Sequence, residues 1–150
     1  PMFDQNLTPC FLFDGQAQEA AKFYVSVFKN SKILYTSPVI TRFRIRGQDF
    51  VALNGPKTLF TWAVSHYVAC KTQKEIDYYW AKLSAGGGEE QPCGWVKDKF
   101  GVSWQIVPAI TPDLLEHKNR KKADAVMQAV MTMKKLDIAK MKAAFAEAGK

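Results

Sequence analysis

The hydrophobic pattern of this chain runs through one order of elements twice. Residues 7–30, LTPCFLFDGQAQEAAKFYVSVFKN, read as an apolar strand, a turn and an amphipathic helix. Residues 64–85, VSHYVACKTQKEIDYYWAKLSA, repeat that order. Each half then closes in a hairpin, RFRIRGQDFVALN in the first and GWVKDKFGVSWQIV in the second. Ser65 follows Thr8 by 57 positions and Gln105 follows Ala52 by 53, so the register holds within a few residues. A unit of this length occurring twice is a duplicated βαβββ module rather than a solenoid, which needs roughly three or more units. The pattern predicts an α+β fold of two paired βαβββ modules with a cavity between the halves, followed by a C-terminal helical extension.

Within the first strand, residues 7–13, Leu7, Pro9, Phe11 and Phe13 share one face, and Thr8, Cys10 and Leu12 the other. The helix 16–29 carries Ala20, Phe23, Tyr24, Val27 and Phe28 as one apolar stripe. Strands are expected near 32–36, 40–46 and 49–54, the last two joined at Gly47-Gln48. Pairing across that turn sets Phe43, Ile45, Phe50, Ala52 and Asn54 on one face and Arg42, Arg44 and Arg46 on the other. The second module reads as a strand over 62–70, a helix over 73–84, a glycine loop at 86–88 and strands near 89–97 and 102–107. In the tail, Thr111-Pro112 opens a helix, a stripe from Ala123 to Met131 follows Asn119, and Asp137 caps a final helix. The organisation is one domain, 1–150, made of module 1 (6–55), module 2 (61–108) and the tail (111–150).

Composition narrows the class. The chain is 47% hydrophobic and 13% aromatic, enough to fill a core, so disorder is excluded as a whole-chain reading. Runs such as FVAL and CFLF are too short to span a membrane, and no basic-then-apolar leader is visible. Three cysteines without a C-x-x-C pair fit a reducing cytoplasm better than a disulfide scaffold. The net charge of +7 is spread along the chain, its densest run being His117–Lys122. Such a run reads as a solvated helix start rather than a nucleic-acid site.

Several separate motifs, in order, carry a family resemblance: TPCFLFDGQAQEAAKFYVSVFKNSKI, GQDFVALNG, CKTQKEIDYYWAKLSAGG and PCGWVKDKFGVSWQIVP. Over residues 6–148 the chain resembles the PhnB-like proteins of the vicinal-oxygen-chelate superfamily, with glyoxalase I, bleomycin-resistance proteins and extradiol dioxygenases. The resemblance implies two βαβββ modules forming a cupped mixed sheet around a cavity, and a homodimer. Some members are labelled 3-demethylubiquinone 3-methyltransferase. The glycine cluster here follows a helix and reads as its stop, not as a loop between strand and helix that would hold a methyl donor.

Superfamily enzymes hold a divalent metal with four side chains, two from the first strand of each module and two from the last. The repeat places Thr8, Ala52, Ser65 and Gln105 at those positions, and only Gln105 is a usual ligand type. No metal and no cofactor are therefore expected. Strand parity puts Thr8, Cys10, Phe43, Phe50, Asn54, Ser65, Tyr67 and Gln105 around the cavity, an apolar and aromatic cup with a few hydroxyl and amide groups. The expected function is binding of a small apolar or aromatic molecule without metal. The alternative is a metal-free or metal-dependent enzyme of the glyoxalase and dioxygenase superfamily, a lyase, isomerase or thiol-modifying activity, with Cys93 or Cys10 standing in where no metal is held. A third class is an interaction module using the tail.

Overall fold

The computed structural model describes residues 5–149. The chain divides into two compact units, one ending at Leu59 and the other starting at Phe60. Both are α+β, and each holds a four-stranded mixed sheet.

The first unit runs β1 (Cys10–Phe13), α1 (Ala17–Val27), β2 (Ser31–Thr36), β3 (Ile40–Ile45) and β4 (Gln48–Asn54). The sheet order is β1-β4-β3-β2, with β1 parallel to β4 and the other pairs antiparallel. The parallel ladder sets Cys10 beside Val51 and Phe11 beside Ala52. Arg46 (φ 50°) and Gly47 (φ 87°) make the β3–β4 turn, which needs two left-handed residues, so Arg46 leaves the strand and Ile45 pairs with Gln48. Phe11, Tyr24, Phe43 and Phe50 pack as one aromatic cluster between the sheet and α1, with Tyr24 stacked on Phe43 at 5.9 Å and Phe43 on Phe50 at 5.3 Å. Buried aromatics of this size dominate core energetics.

The second unit repeats that topology. It runs β5 (Ser65–Cys70), α2 (Gln73–Ser84), β6 (Glu89–Glu90), a 3-10 turn at Pro92–Gly94, β7 (Trp95–Lys97) and β8 (Ser103–Pro108). The order is β5-β8-β7-β6, with β5 parallel to β8. The segment expected as one strand over 89–97 is broken, because Cys93 and Gly94 both adopt positive φ. Thr72 caps α2 by accepting from the Glu75 amide. Val68, Cys70, Ile76, Trp80, Leu83, Val96, Trp104 and Ile106 are buried on or against the helix-side face of the sheet. Asp98 is 1% exposed, and its carboxylate accepts from the Trp104 indole and the Phe100 and Val102 amides. It holds the hairpin turn together rather than forming a surface ion pair with Lys97, which faces Glu89 instead.

The tail forms α3 (Thr111–Leu115), α4 (Arg120–Val130) and α5 (Ile138–Glu147); Asp137 caps α5 as its sequence predicts, and Asn119 caps α4 by accepting from the Lys122 amide. Its stripe is buried in part within the second unit: Val126 and Val130 cluster with Leu114, Leu136 and Met141 on Val107 of β8, and Ala123 is buried, whereas Met127 and Met131 of the expected stripe stay exposed. The tail thus braces the sheet of its own chain.

Candidate functional site

Each sheet has one face under its helix and one face turned away from it. Strand alternation and the observed pairings assign every residue to one of these. In the first unit the helix-side face holds Phe11, Phe13, Phe43, Ile45, Phe50, Ala52 and Asn54. The open face holds Cys10, Leu12, Ile40, Arg42, Arg44, Val51 and Leu53. The expected cup combined these two faces and is corrected here. Phe43 is 0% exposed beneath α1 and offers nothing to a ligand, and Phe50 lies in the same cluster. Asn54 is also a scaffold residue: its Oδ1 accepts from the Ala17 amide at the start of α1, and its Nδ2 donates to the Pro38 carbonyl.

Thr8 lies before β1, its hydroxyl bonded to Gln5. Cys10 lies on the open face, and partial desolvation of its thiol raises its pKa, which disfavours the nucleophilic thiolate even though the residue as a whole is exposed. Arg44 grips Asp49 through Nε at 2.5 Å, and this hydrogen bond holds the Asp49 carboxyl below its ordinary pKa.

The second unit brings three of the expected residues together. Tyr67 of β5 pairs with Gln105 of β8, which pairs with Trp95 of β7, so the three form one row across the open face. Ser65 joins the row through its Oγ, which accepts from Gln105 Nε2 at 3.0 Å. Tyr67 is 54% exposed, and burial of its hydroxyl, with a smaller contribution from the Glu116 charge, raises its pKa. Beside Trp95 lies a hollow of about 450 Å³ lined by Trp62, Glu89, Gln91, Pro92, Cys93 and Trp95. Trp62 is 74% exposed and meets Trp95 edge to face, with centroids 6.1 Å apart and planes at 80°. His66 lies on the other face against Trp104, where burial lowers its pKa.

The hollow was not legible as a site before the fold was known, although two of its signals lie in the sequence. Trp95 alternates with Val96 in the last hairpin, and Trp62 sits in the apolar segment LFTWAV. Cys93 was singled out, and it lines the hollow.

The superfamily metal positions can be tested against these residues. The observed ladders make Val51, not Ala52, the counterpart of Gln105, because Cys10 pairs with Val51 as Tyr67 pairs with Gln105. The donor set is then a valine, two hydroxyls already bonded to glutamines, and one amide bonded to Ser65. That set does not fit a divalent ion, which asks for imidazole, carboxylate or thiolate donors. Among the described residues no three His, Cys, Asp or Glu side chains cluster. No helix among them is long and apolar enough to cross a membrane.

Comparison with known proteins agrees with this architecture. Residues 5–107 match the family model of 3-demethylubiquinone-9 3-methyltransferase. A PhnB protein from Bacillus cereus, described as a putative 3-demethylubiquinone-9 3-methyltransferase, is 32% identical, with a TM-score of 0.63 over 70% of this chain and 100% of that one. Protein PA1353 from Pseudomonas aeruginosa is 18% identical, with a TM-score of 0.56 over 69% of this chain and 96% of that one. The fosfomycin resistance protein FosX of Listeria monocytogenes, solved with Mn(II) and sulfate, is 16% identical, with a TM-score of 0.54 over 69% and 88% of the two chains. These last two share the fold. None of the curated proteins matches. The resemblance read over residues 6–148 is thus matched by the family model as far as residue 107, and the tail lies beyond it. The motifs, the doubled βαβββ topology and the match over residues 5–107 together make this chain a member of the PhnB-like, 3-demethylubiquinone-9 3-methyltransferase family.

Proposed function

We propose that this protein binds a small, flat, aromatic or apolar molecule in the hollow beside Trp95, without a metal. The observation that carries the reading is the pair of tryptophans lining it, one of them largely exposed. An exposed tryptophan costs solvation unless a partner covers it, and indole faces are favoured stacking surfaces. A volume of about 450 Å³ suits a ligand of one or two rings. Gln105 and Tyr67 share the row of Trp95 but lie outside the hollow's lining; a ligand reaching past Trp95 would meet the Gln105 carbonyl oxygen, whose Nε2 is spent on Ser65, and the Tyr67 hydroxyl. Cys10, Thr8 and the first sheet are not assigned to this site.

Methyl transfer is not the reading favoured here, despite the description of the family. Gly86 and Gly87 adopt positive φ directly after α2, so the glycine cluster ends a helix instead of cradling a methyl donor at the start of one. A thiol enzyme using Cys93 is the second reading, because Cys93 lines the hollow. An activated thiol needs a base or cation beside it, and the lining supplies neither imidazole nor cation. We further propose a homodimer in a reducing, cytoplasmic setting. The homodimer is what the family resemblance implies, and the three cysteines form no disulfide among the described residues.

Calorimetric titration with naphthol tests the binding reading. Trp95→Ala should abolish binding while the far-ultraviolet spectrum is retained; equal affinity in parent and variant would refute it.

A further inference from the structure

We propose that the segment Thr132–Asp137, outside the family-matched residues, is the wall behind the hollow's lining and positions that lining by holding the Cys93–Gly94 turn in place. The inference rests on the reading of the hollow as the ligand site.

The turn is costly on its own. Cys93 (φ 62°) and Gly94 (φ 83°) are consecutive left-handed residues, a conformation that a side-chain-bearing residue such as Cys93 adopts only when its surroundings hold it. Their amides point away from the ladder and need acceptors. The segment supplies both: Cys93 N donates to the Met133 carbonyl and Gly94 N to the Lys134 carbonyl, each at 2.8 Å. Leu136 lies so close that a Cβ on Gly94 would come within 3.0 Å of its Cγ and Cδ1. Turn and segment therefore match in shape as well as in hydrogen bonding.

The segment is itself moored to α2. Gln73 Nε2 donates to the Leu136 carbonyl and its Oε1 accepts from the Ile138 amide, each at 2.9 Å. Lys135 pairs with Asp77 at 2.8 Å. A continuous set of contacts thus runs from Gln73 through the segment to the turn. Pro92, Cys93 and Trp95, which form or flank that turn, are half of the hollow's lining. Gln73 and Leu136 are positioning residues: they touch the turn or its support, not the ligand. Since residues beyond 107 lie outside the family model, this wall is a part of the site that the matched residues do not encode.

The test uses the full chain in a Cys10→Ser background, so that Cys93 is the accessible thiol while Cys70 is 0% exposed. Naphthol affinity and the rate of Cys93 alkylation by iodoacetamide are measured for the parent, Gln73→Ala, Gln73→Glu and Val126→Ala, each folded by circular dichroism. Losing the Gln73 hydrogen bonds to Leu136 and Ile138, together with the one that Nε2 also donates to Asp77 at 3.2 Å, should weaken naphthol about fivefold and raise alkylation by a similar factor. Gln73→Glu keeps the acceptor for Ile138 but sets a second carboxylate beside Asp77, and should weaken binding no less than Gln73→Ala. Val126→Ala destabilises the tail cluster without touching these bonds, and should leave both readings within about twofold. If Gln73→Ala lowers the melting temperature yet leaves affinity and alkylation at parental values, the segment is only a brace and the proposal is overturned. If the parent fails to bind naphthol, the reading of the hollow falls, and the proposal with it.

Discussion

Replacing Phe43 with alanine separates the two assignments of the first sheet. If Phe43 lined a ligand cavity, its loss would cost affinity and little stability. The structure places it at 0% exposure, packed against Phe11, Tyr24 and Phe50 at centroid separations of 6.5, 5.9 and 5.3 Å. Truncating a buried phenylalanine costs about 3–5 kcal/mol. Its three ring neighbours would all face the space left behind, which puts Phe43→Ala near the middle of that range or above, about 4 kcal/mol. With a slope of about 2 kcal/mol per molar urea, the unfolding midpoint should fall by about 2 M. The first unit contains no tryptophan, so far-ultraviolet circular dichroism is the suitable probe. A companion Arg42→Ala, on the open face, should move the midpoint by less than about 0.5 M, since a half-exposed cation stacked over Tyr35 contributes about 1 kcal/mol or less. A Phe43→Ala protein as stable as the parent, or one that keeps its stability but loses naphthol binding, would refute the assignment.

Further outcomes follow from single groups. Asp98→Ala should destabilise the second unit by about 3 kcal/mol, because it strands the buried Trp104 indole N–H; thermal melting followed by fluorescence checks this. The pKa of His66 is lowered by burial, so the neutral imidazole stabilises the fold at and above its ordinary pKa of about 6.5, and that contribution is lost as pH falls from there through the folded value; proton NMR should show His66 titrating below His66 in a denatured control. Asp49, lowered chiefly by its hydrogen bond from Arg44, stabilises the fold above about pH 4 and loses that contribution as pH falls through its depressed value, so the stability gap between parent and Asp49→Asn should close on acidification.

Much of the fold could be read from alternation and caps. The helix expected over 73–84 is observed as Gln73–Ser84, and the cap expected at Asp137 is in place, because these depend on contacts a few residues apart. The face of the first sheet was not readable, for a physical reason. In β4 the run Phe50, Val51, Ala52 and Leu53 is apolar on both sides, so alternation gives no inside or outside. The face that Cys10 shares is decided by its parallel pairing with Val51, a contact across some forty positions that local pattern does not encode. The same ladder shifts the repeat by one residue, making Val51 rather than Ala52 the counterpart of Gln105. In the second unit, Ser65, Tyr67 and Gln105 share one face, which is legible because strand alternation separates them from Val68, Trp104 and Ile106, although Ala69 and Val107 lie on their side. The hollow escaped notice since it depends on the break at Cys93–Gly94, and on a tail segment forty positions away whose carbonyls hold that break.

The four tryptophan indole N–H resonances give the most direct test of where a ligand sits. All four lie in the second unit, and two have assigned roles elsewhere: Trp80 donates to Glu90 and Trp104 to Asp98, both toward the helix side of the sheet. Trp62 and Trp95 line the hollow. In a nitrogen–proton correlation spectrum titrated with naphthol, the account predicts saturable shifts of the Trp62 and Trp95 indole signals, accompanied by the Gln105 side-chain amide, while the Trp80 and Trp104 signals stay in place. Shifts confined to the first-sheet amides around Cys10 and Val51, or to Trp80 and Trp104 with Trp62 and Trp95 unmoved, would contradict it.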